Sequence, residues 1–315
     1  MKKVLLIQTA FIGDAILATA AVEALAQRGH EVHVLVRKGN EIFYSNHPKV
    51  HQVWIWDKKN KWKSWWSLLQ QVRAVKFDEL YLVQRYFTMS LFALLSQATT
   101  KWVYDQSVLA VLFKNLVPYQ MMAGKHEVYR LMDLVQSDVR FLPKIYPSDE
   151  DERMVEVWAN QAFVTLSPAS VWETKRAPES VWKAVVDRHA HQAIYLLGGP
   201  GDLDFLKGLK EKWNNPSVQV LAGQLSLMQS AALMSKAQMN YVNDSGPLHL
   251  CSAMNAPVTA FFCSTVLDFG FGPLSENALV LETTEELPCR PCGLHGKRAC
   301  PRGDFACGQI HVPQI

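Results

Sequence analysis

No stretch of this 315-residue chain reaches the roughly 18 to 20 uninterrupted apolar residues that a membrane-spanning helix requires. Nothing in it therefore reads as a transmembrane segment. The start, Met1 to Ala10, sets two lysines ahead of an apolar run in the manner of a secretory leader. Gln8, Thr9, Gly13 and Asp14 interrupt that run, and no small-residue cleavage site follows. The stretch reads instead as the first buried strand of a cytoplasmic protein. An excess of charge of one sign is also lacking. Lys and Arg total 32 against 29 Asp and Glu, and a net charge of +3 is too small to argue for a nucleic-acid partner. Between Gln8 and Ala26 the only glycine is Gly13. The first turn thus lacks the G-x-G-x-x-G fingerprint, which disfavours a dinucleotide cofactor there. Cysteine is rare outside one place: of six, four lie between Cys289 and Cys307. Cys251 and Cys263 stand in apolar surroundings and read as buried.

What is present is a soluble globular composition, 49% hydrophobic and 19% charged, long enough for two domains that each bury a core. An apolar run, Val4 to Gln8, an alanine-rich helix, Ala15 to Gln27, closed by Gly29, and a second run, Glu31 to Val36, make a β-α-β unit. A parallel sheet with right-handed crossovers follows from that order. Further strands are expected at Val53 to Trp56 and Glu79 to Val83, with a helix from about Trp62 to Lys76 between them. Tyr86 to Lys144 shows helical apolar periodicity, with His126-Glu127 as a solvated cap before Tyr129 to Val135. The acidic stretch Pro147 to Glu156 reads as a linker, which places the boundary between domains 1–150 and 151–315. Beyond it the pattern restarts. Strands are expected at Phe163 to Leu166, Ala193 to Leu197 and Val218 to Leu221, a helix at Pro178 to His189, and a capping box at Ser226 and Gln229. The expected class is α/β with two Rossmann-like parallel-sheet domains, and ligands of such open sheets bind at the carboxyl edge.

Met239 to Thr265 organises the second half as strand, turn, helix and strand. Asn243-Asp244-Ser245-Gly246-Pro247 ends the strand and opens a helix running to Met254. The amino end of that helix offers free N–H groups to an anion. Gly246 lets a phosphate approach the backbone, Ser245 can donate a hydroxyl, and Asp244 can accept from a sugar or brace the loop. His249 in the first turn is expected to reach the same ligand. An ordinary capped strand-to-helix turn would use the same residues. In the first turn of the chain, Asp14 can act as a general base or as the N-cap of the helix beginning at Ala15. Lys175 and Arg176, in the loop from Ser167 to Pro178, can neutralise a departing phosphate or sit solvated.

Gly13-Asp14, Lys175-Arg176 and the run N-D-S-G-P-L-H-L from Asn243 to Leu250, followed by A-P-V-T-A-F-F-C-S-T, resemble glycosyltransferase family 9, the bacterial lipopolysaccharide heptosyltransferases. The resemblance extends over most of the chain, nearest to heptosyltransferase II-like members. It implies a GT-B architecture, in which two Rossmann-like domains face a central cleft, the first binding acceptor and the second binding a nucleotide sugar. Implied too is an inverting, metal-independent transfer of a sugar, heptose from ADP-heptose, to a lipid-linked oligosaccharide of the lipopolysaccharide core, with no cofactor. Asp14 aligns with the family's catalytic base, and Lys175 with its diphosphate-contacting lysine. Ser170, Lys175, Arg176, Asp244, Ser245, Gly246, Pro247 and His249 become donor-binding candidates. Asp202 or Asp204 falls where the family holds the nucleoside with an acidic residue. The family's Arg-Trp-Pro reads Arg176-Ala177-Pro178 here, and the chain ends at Ile315, near where the family's last helix crosses back.

Two further patterns stay open. Lysines interleaved with tryptophans from Lys58 to Trp66 suit a peripheral contact with the anionic inner face of the inner membrane. Alternatively, Trp62, Trp65, Leu69 and Val72 fall at helical spacing and suit core packing. Cys289-x2-Cys292-x7-Cys300-x6-Cys307, in a tail from 287 to 309, has spacing compatible with a structural four-thiolate zinc site, or with thiols that hold no metal.

Overall fold

The computed structural model describes residues 1–313, apart from the side chain of Lys61. Two compact units divide the chain, Met1–Tyr146 and Pro147–Ile315.

Unit 1 runs β1 (Lys3–Gln8), α1 (Ile12–Leu17), α2 (Thr19–Gln27), β2 (Glu31–Arg37), β3 (Val50–Trp56), α3 (Lys61–Val75), β4 (Glu79–Leu82), α4 (Phe87–Leu95), β5 (Thr100–Tyr104), β6 (Asn115–Val117) and α5 (Glu127–Leu134). Its six strands are parallel in the order β3-β2-β1-β4-β5-β6. Val4 to Ile7 are wholly buried, as a central strand covered on both faces requires. Trp65 anchors α3 to this core, with its ring edge-on to Phe92 at 5.6 Å and its indole N–H donated to the Thr88 carbonyl at 3.1 Å. Leu69 and Val72 continue the buried stripe, whereas Trp62 at 54% and Trp66 at 51% exposure leave it. Core packing therefore accounts for Trp65, Leu69 and Val72 but not for Trp62.

Two expectations for this unit are corrected. The helix after β1 begins at Ile12 and breaks at Ala18. Asp14 thus lies in the first turn of α1, and Phe11 is the N-cap. The region from Tyr86 to Lys144 is not continuously helical. It holds β5 and β6, five and three residues long, too short for a period-2 pattern to stand out against helical spacing.

Unit 2 runs α6 (Asp149–Val155), β7 (Phe163–Ser167), α7 (Glu179–Arg188), β8 (Ala193–Leu196), α8 (Leu203–Trp213), β9 (Val218–Val220), α9 (Leu227–Lys236), β10 (Met239–Asn243), α10 (Gly246–Met254), β11 (Val258–Phe262) and β12 (Ala278–Glu282). The expected acidic linker is helical. Ser148 and Asp151 form a capping box, and Asp149 to Glu152 fill the first turn, where carboxylates offset the positive helix end. Helix α6 packs on α9, with Glu152 paired to Lys236 at 2.6 Å. Ser226 caps α9 through Gln229 as the sequence indicates. The sheet is parallel in the order β12-β11-β10-β7-β8-β9. Trp182 of α7 packs edge-on against Phe261 of β11 at 5.0 Å and donates its N–H to the Ala177 carbonyl at 3.0 Å. Burying a side chain of this kind contributes about 1.5 to 3 kcal/mol.

Numbered from its own first strand, each sheet has the order 3-2-1-4-5-6. The crossover direction reverses between β1 and β4 in unit 1 and between β7 and β10 in unit 2. Such a reversal opens a crevice at the carboxyl ends of the two strands.

Candidate active site

In unit 2 the loops after β7 and β10, one on each side of the reversal, are bonded to each other. Asn243 ends β10, and its side-chain amide donates to the Pro168 carbonyl at 2.8 Å and accepts from the Ala177 amide at 2.9 Å. Asp244 follows and is buried, 6% exposed. One of its carboxylate oxygens accepts from the Thr265 hydroxyl at 2.6 Å and pairs with Lys175 Nζ at 2.7 Å. Lysine 175, from the β7 loop, is thereby brought to the start of α10. An ammonium has three N–H donors, so this pairing leaves donors for a second anion. Ser245 is the N-cap of α10 in extended conformation, with no side-chain bond to the helix amides. Gly246 and Pro247 form the first turn, an anion-accepting helix end. His249 is buried at 5% exposure with its ring 6.3 Å from that of Phe271. Phe271 lies in the segment after β11, so this contact joins α10 to that segment.

Arg176 goes elsewhere than its neighbour Lys175. It donates to the Ser170 carbonyl at 2.8 Å, pairs with Glu173 at 3.0 Å and stacks over the Phe205 ring at 5.2 Å. This group borders a surface cavity of about 680 Å³ that Asp204 and Arg298 also line. Asp202 accepts from the Gly199 amide at 2.8 Å and so closes its own turn. Of the two acidic candidates, only Asp204 shares the cavity with Arg176.

In unit 1 Asp14 sits at the corresponding reversal, just after β1. Burial, and then the charge of Glu127, raise its carboxyl from 3.8 to about 6, against opposing bonds from backbone N–H groups and the charge of Arg37. Its base form is therefore available at neutral pH and is more basic than a solvated aspartate. Glu127 is not the solvated cap expected from the sequence. It is 7% exposed, accepts from Arg130 Nε at 2.7 Å and from the Tyr119 hydroxyl at 3.0 Å, and is itself shifted up by burial. Arg130, 1% exposed, also donates to the Gln120 and Lys125 carbonyls. The sequence carried one signal for this network, the i,i+3 acid-base spacing of Glu127 and Arg130 at the start of a helix.

Among the described residues one group of side chains lies within metal-ligating distance, Glu31, His33 and His51. The Trp54 indole N–H faces His33 Nδ1 at 3.4 Å, and His33 Nε2 faces Glu31 at 3.0 Å. That arrangement leaves the neutral ring's proton on Nε2, where a metal would need a lone pair. The four clustered cysteines do not form such a group among the described residues. Cys289 is exposed, Cys292 and Cys300 are partly covered, and Cys307 is buried. Cys251 and Cys263 are buried, as their surroundings indicate.

Residues 65–298 match the family model described as glycosyltransferase family 9 (heptosyltransferase). The chain belongs to glycosyltransferase family 9. The match takes in Lys175, Arg176 and the Asp244 to His249 turn but stops short of Asp14, so the latter's placement rests on its geometry. The family 9 chain is 25% identical to lipopolysaccharide heptosyltransferase 3 of Escherichia coli, over 81% of this chain and 82% of that protein. In fold it resembles the E. coli ADP-heptose lipopolysaccharide heptosyltransferase II, with a TM-score of 0.79 at 18% identity over 92% of this chain and 95% of the other. It also resembles E. coli heptosyltransferase WaaC with ADP, with a TM-score of 0.70 at 19% identity over 88% and 92%. The protein is a glycosyltransferase, and its two parallel six-stranded units are those of the GT-B heptosyltransferases.

Proposed function

We propose that this enzyme transfers heptose from ADP-heptose, with inversion, to a lipid-linked acceptor of the lipopolysaccharide core. The observation that carries the proposal is the Lys175–Asp244 pair, 2.7 Å apart at the start of α10. It supplies a fixed cation beside a helix amino terminus, the combination a leaving diphosphate needs. Unit 2 then holds the donor through Lys175, Ser245, Gly246 and the first turn of α10. Unit 1 supplies Asp14 as the base. The acceptor oxygen attacks the anomeric carbon, the bond from that carbon to the diphosphate oxygen breaks, and the acceptor proton passes to Asp14. Displacement from the opposite face inverts the configuration. The bond's electron pair stays on the departing diphosphate oxygen, whose negative charge is met by Lys175 and the helix N–H groups. Because those groups provide the positive potential, the transfer has no requirement for a divalent ion.

Purified enzyme given ADP-heptose and a heptose-deficient core acceptor should yield a product whose anomeric configuration is opposite to the donor's. Faster transfer from another nucleotide sugar would overturn the donor assignment, and donor binding without turnover would reduce the protein to a binding module.

A peripheral contact with the inner face of the inner membrane belongs to the same reading, since the acceptor is lipid-linked. Its support is Trp62 and Trp66, half-exposed on α3 beside the exposed Lys59 and Lys63. No helix among the described residues is long and apolar enough to cross a membrane. Co-sedimentation with vesicles containing phosphatidylglycerol, but not with purely zwitterionic ones, should fall in the Trp62→Ser, Trp66→Ser double variant. Equal sedimentation of variant and parent would remove this contact.

A further inference from the structure

The cysteine-rich tail is bonded to the residues that place Lys175 and Asp244. Arg290, 11% exposed at its side chain, donates from Nε to the Cys263 carbonyl at 2.7 Å and from Nη2 to the Phe262 carbonyl at 3.2 Å and the Thr265 carbonyl at 2.8 Å. Cys292 adds its amide to the Ser264 carbonyl at 2.8 Å. The loop after β11 is thus held at successive carbonyls, and its Thr265 hydroxyl is the one bonded to Asp244. On the other side, the Lys297 amide donates to the Thr174 hydroxyl at 2.8 Å, and the Thr174 amide donates to the Lys297 carbonyl at 3.1 Å. Gly296 lies between these attachments with φ of +77°. A Cβ there would stand 2.9 Å from Thr174 Oγ1, 3.1 Å from Lys175 Cγ and 3.1 Å from Ser264 Oγ. The Ser264 hydroxyl is buried with no hydrogen-bond partner.

From these contacts we infer that residues 290–297 form a strap that sets the position of the Lys175–Asp244 pair, with Arg290 and Gly296 as positioning residues for donor binding. The inference rests on the proposed donor site. Arg290 touches no reacting atom in this account. It fixes three backbone carbonyls, the carbonyls fix Thr265, and Thr265 with Lys175 fixes Asp244. Glycine at 296 serves both its left-handed backbone and the close approach to Lys175, where a side chain would displace the lysine stem.

The test is calorimetry of ADP binding to the full chain, together with donor and acceptor KM values, for Arg290→Ala, Arg290→Lys, Gly296→Ala, Lys175→Ala and the Arg290→Ala, Lys175→Ala double variant. Arg290→Ala and Gly296→Ala should each raise the ADP dissociation constant about tenfold and leave the acceptor KM unchanged, while Arg290→Lys recovers part of the loss. In the Lys175→Ala background the Arg290 effect should shrink to less than about twofold, because the two residues act through one network. Unchanged ADP affinity in Arg290→Ala and Gly296→Ala would overturn the strap, and so would full additivity or an equal rise in acceptor KM. Should Arg290→Ala fail to fold, Gly296→Ala decides. Unchanged ADP affinity in Lys175→Ala would overturn the donor site itself, and the strap with it. Loss in Lys175→Ala alone overturns only the strap.

Discussion

Replacing Asp14 by asparagine should make a protein that is more stable and nearly inactive. In the fold its carboxyl is raised from 3.8 to about 6, chiefly by burial. At pH 7.5 it is therefore ionised at a cost of up to about 3 kcal/mol relative to the unfolded chain. The sign follows from proton binding. Between pH 3.8 and 6 the folded state holds a proton that the unfolded state has released, so ionisation erodes stability as pH rises and the full penalty applies above 6. Asparagine keeps the shape and removes the charge. Thermal unfolding at pH 7.5 should thus move up by several degrees, given roughly 2 to 4 °C per kcal/mol for a domain of this size. The gap between variant and parent should narrow when both are measured at pH 5. Turnover should fall about 100-fold to 10,000-fold, the usual contribution of one acid-base group, with ADP affinity retained. A variant that melts lower at pH 7.5 and keeps its rate would refute the assignment, since that is the behaviour of a structural carboxylate in the first turn of α1.

Glu127→Gln should shift the acidic limb of the kcat/KM profile below pH 6 without returning it to 3.8, because burial is the larger cause and remains; an unmoved limb would separate Glu127 from Asp14. Gly246→Val should abolish ADP binding measured by calorimetry while circular dichroism stays native, and retained binding would move the phosphate site away from α10. Ser226→Ala removes the capping box of α9 and should lower stability in urea titration by about 1 kcal/mol with turnover unchanged. Short exposure to EDTA should leave the rate intact, whereas loss restored by magnesium or manganese would contradict a reaction driven by Lys175 and the helix end.

The parallel sheets were legible because their central strands are unbroken apolar runs, as at Val4 to Ile7, bounded by turn residues. The strand, turn and helix from Met239 to Met254 were legible because Asn243 to Pro247 concentrate cap and breaker residues. Short elements at the rim were not. Three-residue β6 completes less than two side-chain alternations, and β12, a sheet-edge strand with none of its residues fully buried, offers only the short apolar run Ala278 to Leu281, which does not tell strand from helix. Acidic residues misled where helix dipole and hydration make the same composition suitable for either a linker or a first turn, as at Asp149 to Glu152. In the site, Lys175 and Asp244 could be named from the sequence but their pairing could not, since 69 positions separate them and only the adjacency of β7 and β10 joins them. Arg290 and Gly296 were missed because the cysteines around them drew the chemical reading toward metal.

The strand order has a consequence for synthesis. In each unit the strand made first is central, so β1 emerges long before both of its neighbours exist: β2 begins at Glu31 and β4 only at Glu79. Until then one edge of a strand whose centre, Val4 to Ile7, is apolar has no pairing partner, which exposes an unpaired edge to association with other chains. The hazard recurs at β7, which waits for β10 at Met239. Yet unit 1 has all six of its strands by Val117, before Pro147 opens unit 2. Each sheet is complete within a contiguous stretch of chain, so the second can form without disturbing the first. A fragment beginning at Pro147 would carry the whole second sheet, the Lys175–Asp244 pair and the strap, which would let donor capture be studied apart from turnover.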